Sequence, residues 1–377
     1  VRKILFVTGS RGEYGYIRPL LKRMGAHRGL SPYVVATNMH LLPEFGSSLK
    51  EFQKDEIQVD ERLLMSLAGY TRESMAKSLG ILLSSLVDVF MRVKPQFVLL
   101  AGDRGEQLAA AIAASYMYIP VAHIQAGEVS GNIDGMARHA ITKFSHIHFS
   151  SNADASERLR RMGEEEFRIK EVGAPQLDDI AVKSSPADVR ARYHLPAKEP
   201  FLLVVQHPVT EEAHLSGEQM TATLEAVTRT GMHAVVIYPN NDAGSVGVQR
   251  ALEGHRGDRF HVERNVSRND FAALMSTASA MVGNSSAALL EAPTFALPAV
   301  NVGRRQIGRL RGANVIEAPH EAKAIEAALK RALSPKFRAS LKGMANPYGD
   351  GKSSERILKI LESAPLDEKL LVKRMTY

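Results

Sequence analysis

KSSPADVRARYHLPAKEPFLLVV, residues 183–205, decides the architecture. It is polar and broken by prolines until Pro200, then turns into an uninterrupted apolar run that ends in two β-branched residues. Upstream, short strand-like runs recur: ILFVT (4–8), YVVAT (33–37), FVLLA (97–101), IPVAH (119–123) and HIHFS (146–150). Each is followed by a Gly- or Pro-marked turn and then a longer helical pattern. After the polar stretch the alternation restarts with FLLVV (201–205), AVVIY (234–238), AMVG (280–283) and AVNV (299–302). Strand, turn and helix in regular alternation predict parallel, doubly wound sheets. The chain therefore reads as two α/β domains joined near residues 180–198. Their expected limits are 1–182 and 199–352, with 353–377 a C-terminal helix and tail returning toward the first domain.

With 377 residues, 45% hydrophobic and 24% charged, the chain has enough apolar material for two cores. No stretch approaches the eighteen or so uninterrupted apolar residues of a membrane span, and the N-terminus enters ILFVT without a signal-peptide core. The expected location is the cytoplasm, with no membrane partner. Cysteine is absent, which excludes disulfides, thiol nucleophiles and zinc–thiolate sites. A net charge of +7 favours an anionic partner or simply a solvated basic surface. Aromatics are only 6%, tryptophan is missing and the basic residues are scattered, so the pattern argues against nucleic acid.

In open parallel sheets, ligands bind beyond the carboxyl ends of the strands. That is where the unusual polar residues fall. TGSRGEYG (8–15) is a glycine-bearing turn after the first strand with Arg11 inside it; it is neither a dinucleotide fingerprint nor a Walker A loop. AGDRGE (101–106) places Asp103 and Arg104 at a sheet edge, where Asp is often only a helix cap. HIQAGEVSGNIDGMARHAITK (123–143) brings Glu128, Asp134, Arg138 and His139 after the next strand. Asp134 and Arg138 have the i,i+4 spacing of an ordinary helical ion pair. Three carboxylates after adjacent strands also suit acid–base chemistry, because like charges in one cleft raise each other's pKa.

The second half repeats the placement. His207 follows FLLVV; Asn240 and Asp242 follow AVVIY in YPNNDAGS (238–245), which an Asx-turn would equally explain. In MVGNSSAALLEAP (281–293) a helix is expected to begin near Ala287, so that donors of Ser285 and Ser286 meet a phosphate at its positive end. Glu291 is then placed to accept from both hydroxyls of a ribose. No His/carboxylate group has convincing metal-ligand spacing, and neither metal nor cofactor is expected.

SRGEYG (10–15), AGDRGE, AGEVSGNIDGMARHAITK (126–143), VGAPQLD (172–178), QHPVT (206–210), PNNDAGS (239–245), GNSSAALLEAP (283–293) and GRRQIGR (303–309) occur in this order. Together they resemble the hydrolysing UDP-N-acetylglucosamine 2-epimerases of sialic- and legionaminic-acid-type biosynthesis. The resemblance spans nearly the whole chain. It implies the GT-B fold, two Rossmann-like domains facing a central cleft, a UDP-sugar substrate and a homodimer. It also implies loss of UDP from C1 with removal of the C2 proton, giving a 2-acetamidoglucal, and then hydration to a free manno-configured sugar. By the resemblance Asp103, Glu128 and Asp134 are the catalytic carboxylates and His207 the histidine near the phosphates. Arg11, Ser285 and Ser286 correspond to diphosphate contacts, and Glu291 to the ribose contact. Arg305 and Asn240 correspond to the nucleotide side, Val266 and Phe271 to the uracil pocket, and Arg104 and Asp242 to positions near the sugar and the hinge. Three features depart from related sequences: Gln125 stands where non-hydrolysing epimerases carry Glu, Glu13 where sialic-acid enzymes usually carry Asp, and PNNDAGS has a second Asn. They leave the sugar open between UDP-GlcNAc and a UDP-2,4-diacetamido-2,4,6-trideoxyglucose. A GT-B glycosyltransferase would share the nucleotide pocket but has no use for three carboxylates in the first domain. A silent UDP-sugar sensor would keep GNSSAALLE and lose the acids.

Overall fold

The first strand, β1 (Arg2–Thr8), alternates its side chains into two different cores, Ile4 and Phe6 on one face and Leu5 and Val7 on the other. A strand buried on both faces belongs inside a parallel sheet covered by helices. The protein is described by a computed structural model over residues 1–377, except Gly46, Ser47, Gly69, Arg256, Met375 and Tyr377. It contains two such sheets. The first joins β1, β2 (Leu30–Thr37), β3 (Glu61–Leu63), β4 (Phe97–Ala101), β5 (Val121–Ile124), β6 (Ile147–Ser150) and β7 (Ile169–Glu171) in the order 3-2-1-4-5-6-7. The second joins β8 (Phe201–Val205), β9 (His233–Ile237), β10 (Phe260–Glu263), β11 (Ala280–Gly283), β12 (Ala299–Val302) and β13 (Val315–Ala318) in the order 10-9-8-11-12-13. All pairings are parallel. Each sheet starts in its middle and winds outward in both directions, so each has a switch point: between β1 and β4, and between β8 and β11.

The helix Arg11–Met24 shows how the chain leaves such a point. Ser10 caps it, accepting from the Glu13 N–H, while the Glu13 carboxylate accepts from the backbone N–H groups of Gly9 and Ser10. This reciprocal capping box explains a carboxylate at position 13 on local grounds alone. Ile17, Leu20, Leu21 and Met24 then pack onto the Ile4/Phe6 face. The same core takes Ile357, Leu358 and Leu361 from the helix Ser353–Ser363, so the last long helix lies on the first sheet.

The helix Arg72–Val93 is, among the described residues, the one long and apolar enough to cross a membrane by length and composition. Its run is interrupted by Ser84, Ser85 and Asp88, and Leu82, Leu86, Val89, Phe90 and Val93 pack into the Leu5/Val7 core. That spacing of three and four is the stripe of a helix lying on a sheet.

Candidate active site

Both switch points open onto one cavity of about 230 Å³ between the two lobes. Ser10 and Arg11 reach it from the end of β1, and Asp103 and Arg104 from the end of β4. His207 comes from the end of β8, and Ser285 and Ser286 from the end of β11. Asp134, Asn240, Val266, Phe271, Glu291 and Arg305 complete the wall. Glu128 and Asp242 are the two expected site residues that do not line it.

The carboxylate end is built by the loop after β5. Gln125 has φ 64°, unusual for a residue with a side chain, and its carbonyl accepts from Arg138 at 2.6 Å. Arg138 also pairs with Asp103, which accepts in addition from the Ser130 hydroxyl at 2.8 Å. The i,i+4 pair between Asp134 and Arg138 does not form, because Asp103 captures the guanidinium. Asp134 instead accepts from the Asn132 amide at 2.8 Å and lies 3.8 Å from Arg305 of the other lobe. Glu128 is 1% exposed, accepts from Asn152 at 2.9 Å and sits 3.7 Å from Arg309, one side-chain layer behind the cavity.

These surroundings make the two cavity carboxylates unequal. Burial works to raise the pKa of Asp103, but Arg138, Arg309 and the Ser130 hydroxyl outweigh it and hold it below the usual range. Burial raises Asp134 to about 7, helped by the nearby charges of Asp103 and Asp242 and opposed by Arg305 and Arg104. One acid is thus ionised near neutral pH while its neighbour is poised to gain or lose a proton. That separation is what general acid–base chemistry requires.

His207 is pushed well below its ordinary value by burial and by the cations Arg305, Arg11 and Arg104. Its Nδ1 accepts from the Asn240 N–H at 3.2 Å, so the neutral ring carries its proton on Nε2. Asn284 brackets the same residue, accepting from the His207 N–H at 2.8 Å and donating to its carbonyl at 2.9 Å. Gly283, with φ 130°, permits this close turn, since a Cβ there would strike the Val205 carbonyl.

The other end is less charged. Val266 and Phe271 are partly buried apolar residues on the second core, and Glu291 beside them is ion-paired with Arg268. The helix after Ser286 has four residues, Ala287–Leu290, and runs into a 3₁₀ turn. So short a helix contributes little dipole, and the N–H groups of Asn284 and Ser285 are spent on the Val205 carbonyl and that of Ala287 on the Ser285 hydroxyl, so the serine hydroxyls and the side chains of Arg11 and Arg305 are the donors this wall offers an anion. Arg11, whose pKa burial lowers to about 10, crosses between the lobes and donates to the carbonyls of Arg264 (2.6 Å) and Tyr238 (3.1 Å).

Asn240 donates to Asp242 at 2.5 Å and accepts from the Asp242 N–H at 3.4 Å, an Asx-type turn. It nevertheless lines the cavity, so the structural and site readings of YPNNDAGS coexist. Asp242 pairs with Arg104 at 2.9 Å and faces a second cavity. Sequence reasoning missed Tyr16 and Arg268, which line the first cavity, and Arg309 and Asn284, which hold its residues in place. Arg309 and Asn284 lie inside motifs singled out above. Arg268 follows a strand too short and exposed to announce itself.

The family model for UDP-N-acetylglucosamine 2-epimerase matches residues 22–362. A UDP-N,N'-diacetylbacillosamine 2-epimerase (hydrolyzing) of Legionella pneumophila is 38% identical, covering 100% of both chains. A UDP-N-acetylglucosamine 2-epimerase of Neisseria meningitidis serogroup B is 34% identical over 96% of each chain. Among solved structures, the UDP-GlcNAc 2-epimerase from Neisseria meningitidis bound to UDP-GlcNAc superimposes with a TM-score of 0.81 at 21% identity, covering 95% of this chain and 99% of that one.

Proposed function

The chain belongs to the UDP-N-acetylglucosamine 2-epimerase family, and on that premise we propose that it is a hydrolysing 2-epimerase of UDP-GlcNAc or a close analogue. The observation that carries this reading is the pair of unequal carboxylates, Asp103 and Asp134, facing a cleft whose far wall has the serine donors, the arginines and the apolar patch suited to a uridine diphosphate. C2–H of a sugar is not acidic, so its removal has to accompany departure of the diphosphate from C1. Arg11, Arg305, Ser285 and Ser286 would stabilise the charge growing on that leaving group. The product of this step is a 2-acetamidoglucal. Protonation at C2 from the opposite face and addition of water at C1 then give the free manno-configured sugar.

In this proposal the proton transfers fall to the cavity carboxylates Asp103 and Asp134, Glu128 supports them from behind through Arg309, and His207 contributes a neutral Nε2–H donor toward the phosphates. Glu291 and Arg268 bind the ribose side, and Val266 and Phe271 the uracil. Asn240 serves the nucleotide side with Arg305, and Asp242 and Arg104 keep the sugar end and the hinge in register. A place in nonulosonic acid biosynthesis, a homodimer and a domain division at about residues 182–199 belong to the same proposal. The 2,4-diacetamido-6-deoxy sugar is the second substrate reading, favoured by the full-length relative whose name specifies diacetylbacillosamine.

Turnover in heavy water tests the reaction. Deuterium is expected at C2 of the released sugar, and Asp103→Asn or Asp134→Asn should abolish release while UDP still binds, since general acid–base assistance is typically worth about 10²–10⁴-fold per group. A released sugar that keeps its C2 hydrogen and its gluco configuration would overturn the epimerase reading. A requirement for an acceptor before UDP appears would replace it with a glycosyltransferase.

A further inference from the structure

Tyr14 and Tyr16 stand two residues apart on the helix Arg11–Met24, so about 200° of turn separates them and they face nearly opposite ways. Tyr14 packs on Phe52, and its hydroxyl donates to Asp55 at 2.6 Å. Tyr16 turns to the cleft and lines its wall. Its ring lies against the bare backbone of Gly102, where a Cβ would come within 3.3 Å of Cε2. Gly102 precedes Asp103 at the end of β4, so this packing holds the tyrosine beside the carboxylate end of the cleft. Among the described residues, no group accepts a hydrogen bond from its hydroxyl or donates one to it.

Four charged groups act on that hydroxyl: Arg309, Asp103, Arg138 and Glu291. Burial is the largest influence and raises its pKa; the two carboxylates add to the rise and the two guanidiniums oppose it. The phenol therefore keeps its proton through the neutral range and is a hydrogen-bond donor. Asp103 marks the carboxylate end of the cleft, and Glu291 the end next to Val266 and Phe271, so a group that feels both lies between them. The guanidiniums on the facing wall already have partners. Arg11 donates to the carbonyls of Arg264 and Tyr238, and Arg305 to that of Asn284 at 3.4 Å. Tyr16 gives the first lobe a donor with no such commitment.

Resting on the proposed function, we infer that Tyr16 is a further catalytic residue, whose hydroxyl donates to the oxygen joining C1 of the sugar to the diphosphate. With the reacting carbons beside Asp103 and the ribose beside Glu291, that oxygen occupies the middle of the cleft, where Tyr16 stands. As the C1–O bond breaks, its electron pair stays on the departing oxygen, which becomes a terminal phosphate oxygen of UDP. The hydrogen bond strengthens as this charge grows while the proton remains on Tyr16, so the contact favours the transition state over the bound substrate. No such charge develops when water later adds to the glucal, and Tyr16 has no part in that step.

Tyr16→Phe removes the hydroxyl and keeps the ring on Gly102. With whichever of the two nucleotide sugars the wild type turns over, kcat for sugar release should fall about 10- to 100-fold, less than for a sole oxyanion donor because the arginines and serines remain. Hydration of 2-acetamidoglucal, supplied together with UDP, should stay within about twofold of wild type, since it lacks the charge that Tyr16 serves. Calorimetry gives a reading that needs no turnover. UDP, whose terminal phosphate carries the oxygen in question, should bind the variant about 10-fold more weakly, the scale of one hydrogen bond to a charged group, while UMP binds as before. Equal effects on UDP and UMP, hydration slowed as much as release, or a wild-type kcat in the variant would each overturn the assignment. If the wild type turns over neither nucleotide sugar, the epimerase reading fails and the two nucleotides still decide Tyr16: a loss confined to UDP keeps its contact with the terminal phosphate oxygen, and equal effects remove it.

Discussion

Asp134 and Asp103 line one cavity, yet burial pushes the first up while neighbouring arginines and a hydroxyl hold the second down. The consequence for stability has a definite sign. A carboxyl raised from its unfolded value near 4 to about 7 contributes stability that is full below pH 4 and is lost as pH rises through 7. Asp134→Asn removes that loss. In thermal melts the variant should therefore gain on wild type steadily from about pH 4 to pH 8, and a difference that stays flat would show that Asp134 is not perturbed. Most of the site was legible at this scale because chemistry-bearing residues sit just after buried strands, where topology exposes them. What was not legible is pairing. Spacing offered Arg138 to Asp134, but the fold brings Asp103 closer, and Glu128 lost its place in the cavity wall to contacts with Asn152 and Arg309 that no local pattern announces.

Among elements, the nine runs read as strands each contain or overlap a strand, and the four not read, β3, β7, β10 and β13, are the two edges of each sheet. Their sequences, ERL, IKE, FHVE and VIEA, are short and partly exposed. An edge strand is paired on one side only, so it needs neither the length nor the continuous apolar run of an interior strand. The loop between β5 and the helix Ile133–Phe144 touches the second lobe through its backbone. The Gly131 N–H donates to the Arg305 carbonyl at 2.9 Å, and a Cβ at Gly131 would collide with the Arg304 carbonyl. Gly131→Ala should therefore separate this loop from the second lobe and displace Arg305 from Asp134. We expect turnover to fall by about 10- to 100-fold, by the cost of misplacing catalytic groups, with the melting temperature little changed. Full activity in this variant would mean that the two lobes need not approach here.

For the whole molecule, the helix Ser353–Ser363 carries the largest consequence. It lies beyond the second lobe in sequence but fills the first lobe's core through Ile357, Leu358 and Leu361, which are almost completely buried. Arg168, also buried, donates to the carbonyls of Lys369, Leu370 and Val372, and Lys373 pairs with Glu164 at 2.7 Å, so the segment after the helix is held as well. Leu361→Ala should cost about 2–5 kcal/mol, the usual range for a buried leucine. Urea unfolding with a probe in the first lobe measures it, and a change below 0.5 kcal/mol, taken as roughly the surface range, would show that the helix is not part of that core. The prolines of residues 183–200 fall between the last strand of the first sheet and the first strand of the second, but only the packed structure gives the return of the final helix its depth. On a ribosome, the strands of the first sheet are all made by Glu171, while Ile357 follows roughly 190 residues later. At about 5–20 residues per second that is a wait of some ten to forty seconds. During it the Ile4/Phe6 face and its helix have no lid, and the later lobe, whose strands end at Ala318, is in a position to mature first. The half of the protein that is born first is finished last, and a nascent chain stalled anywhere before residue 350 presents a sticky, half-built surface for chaperones to hold.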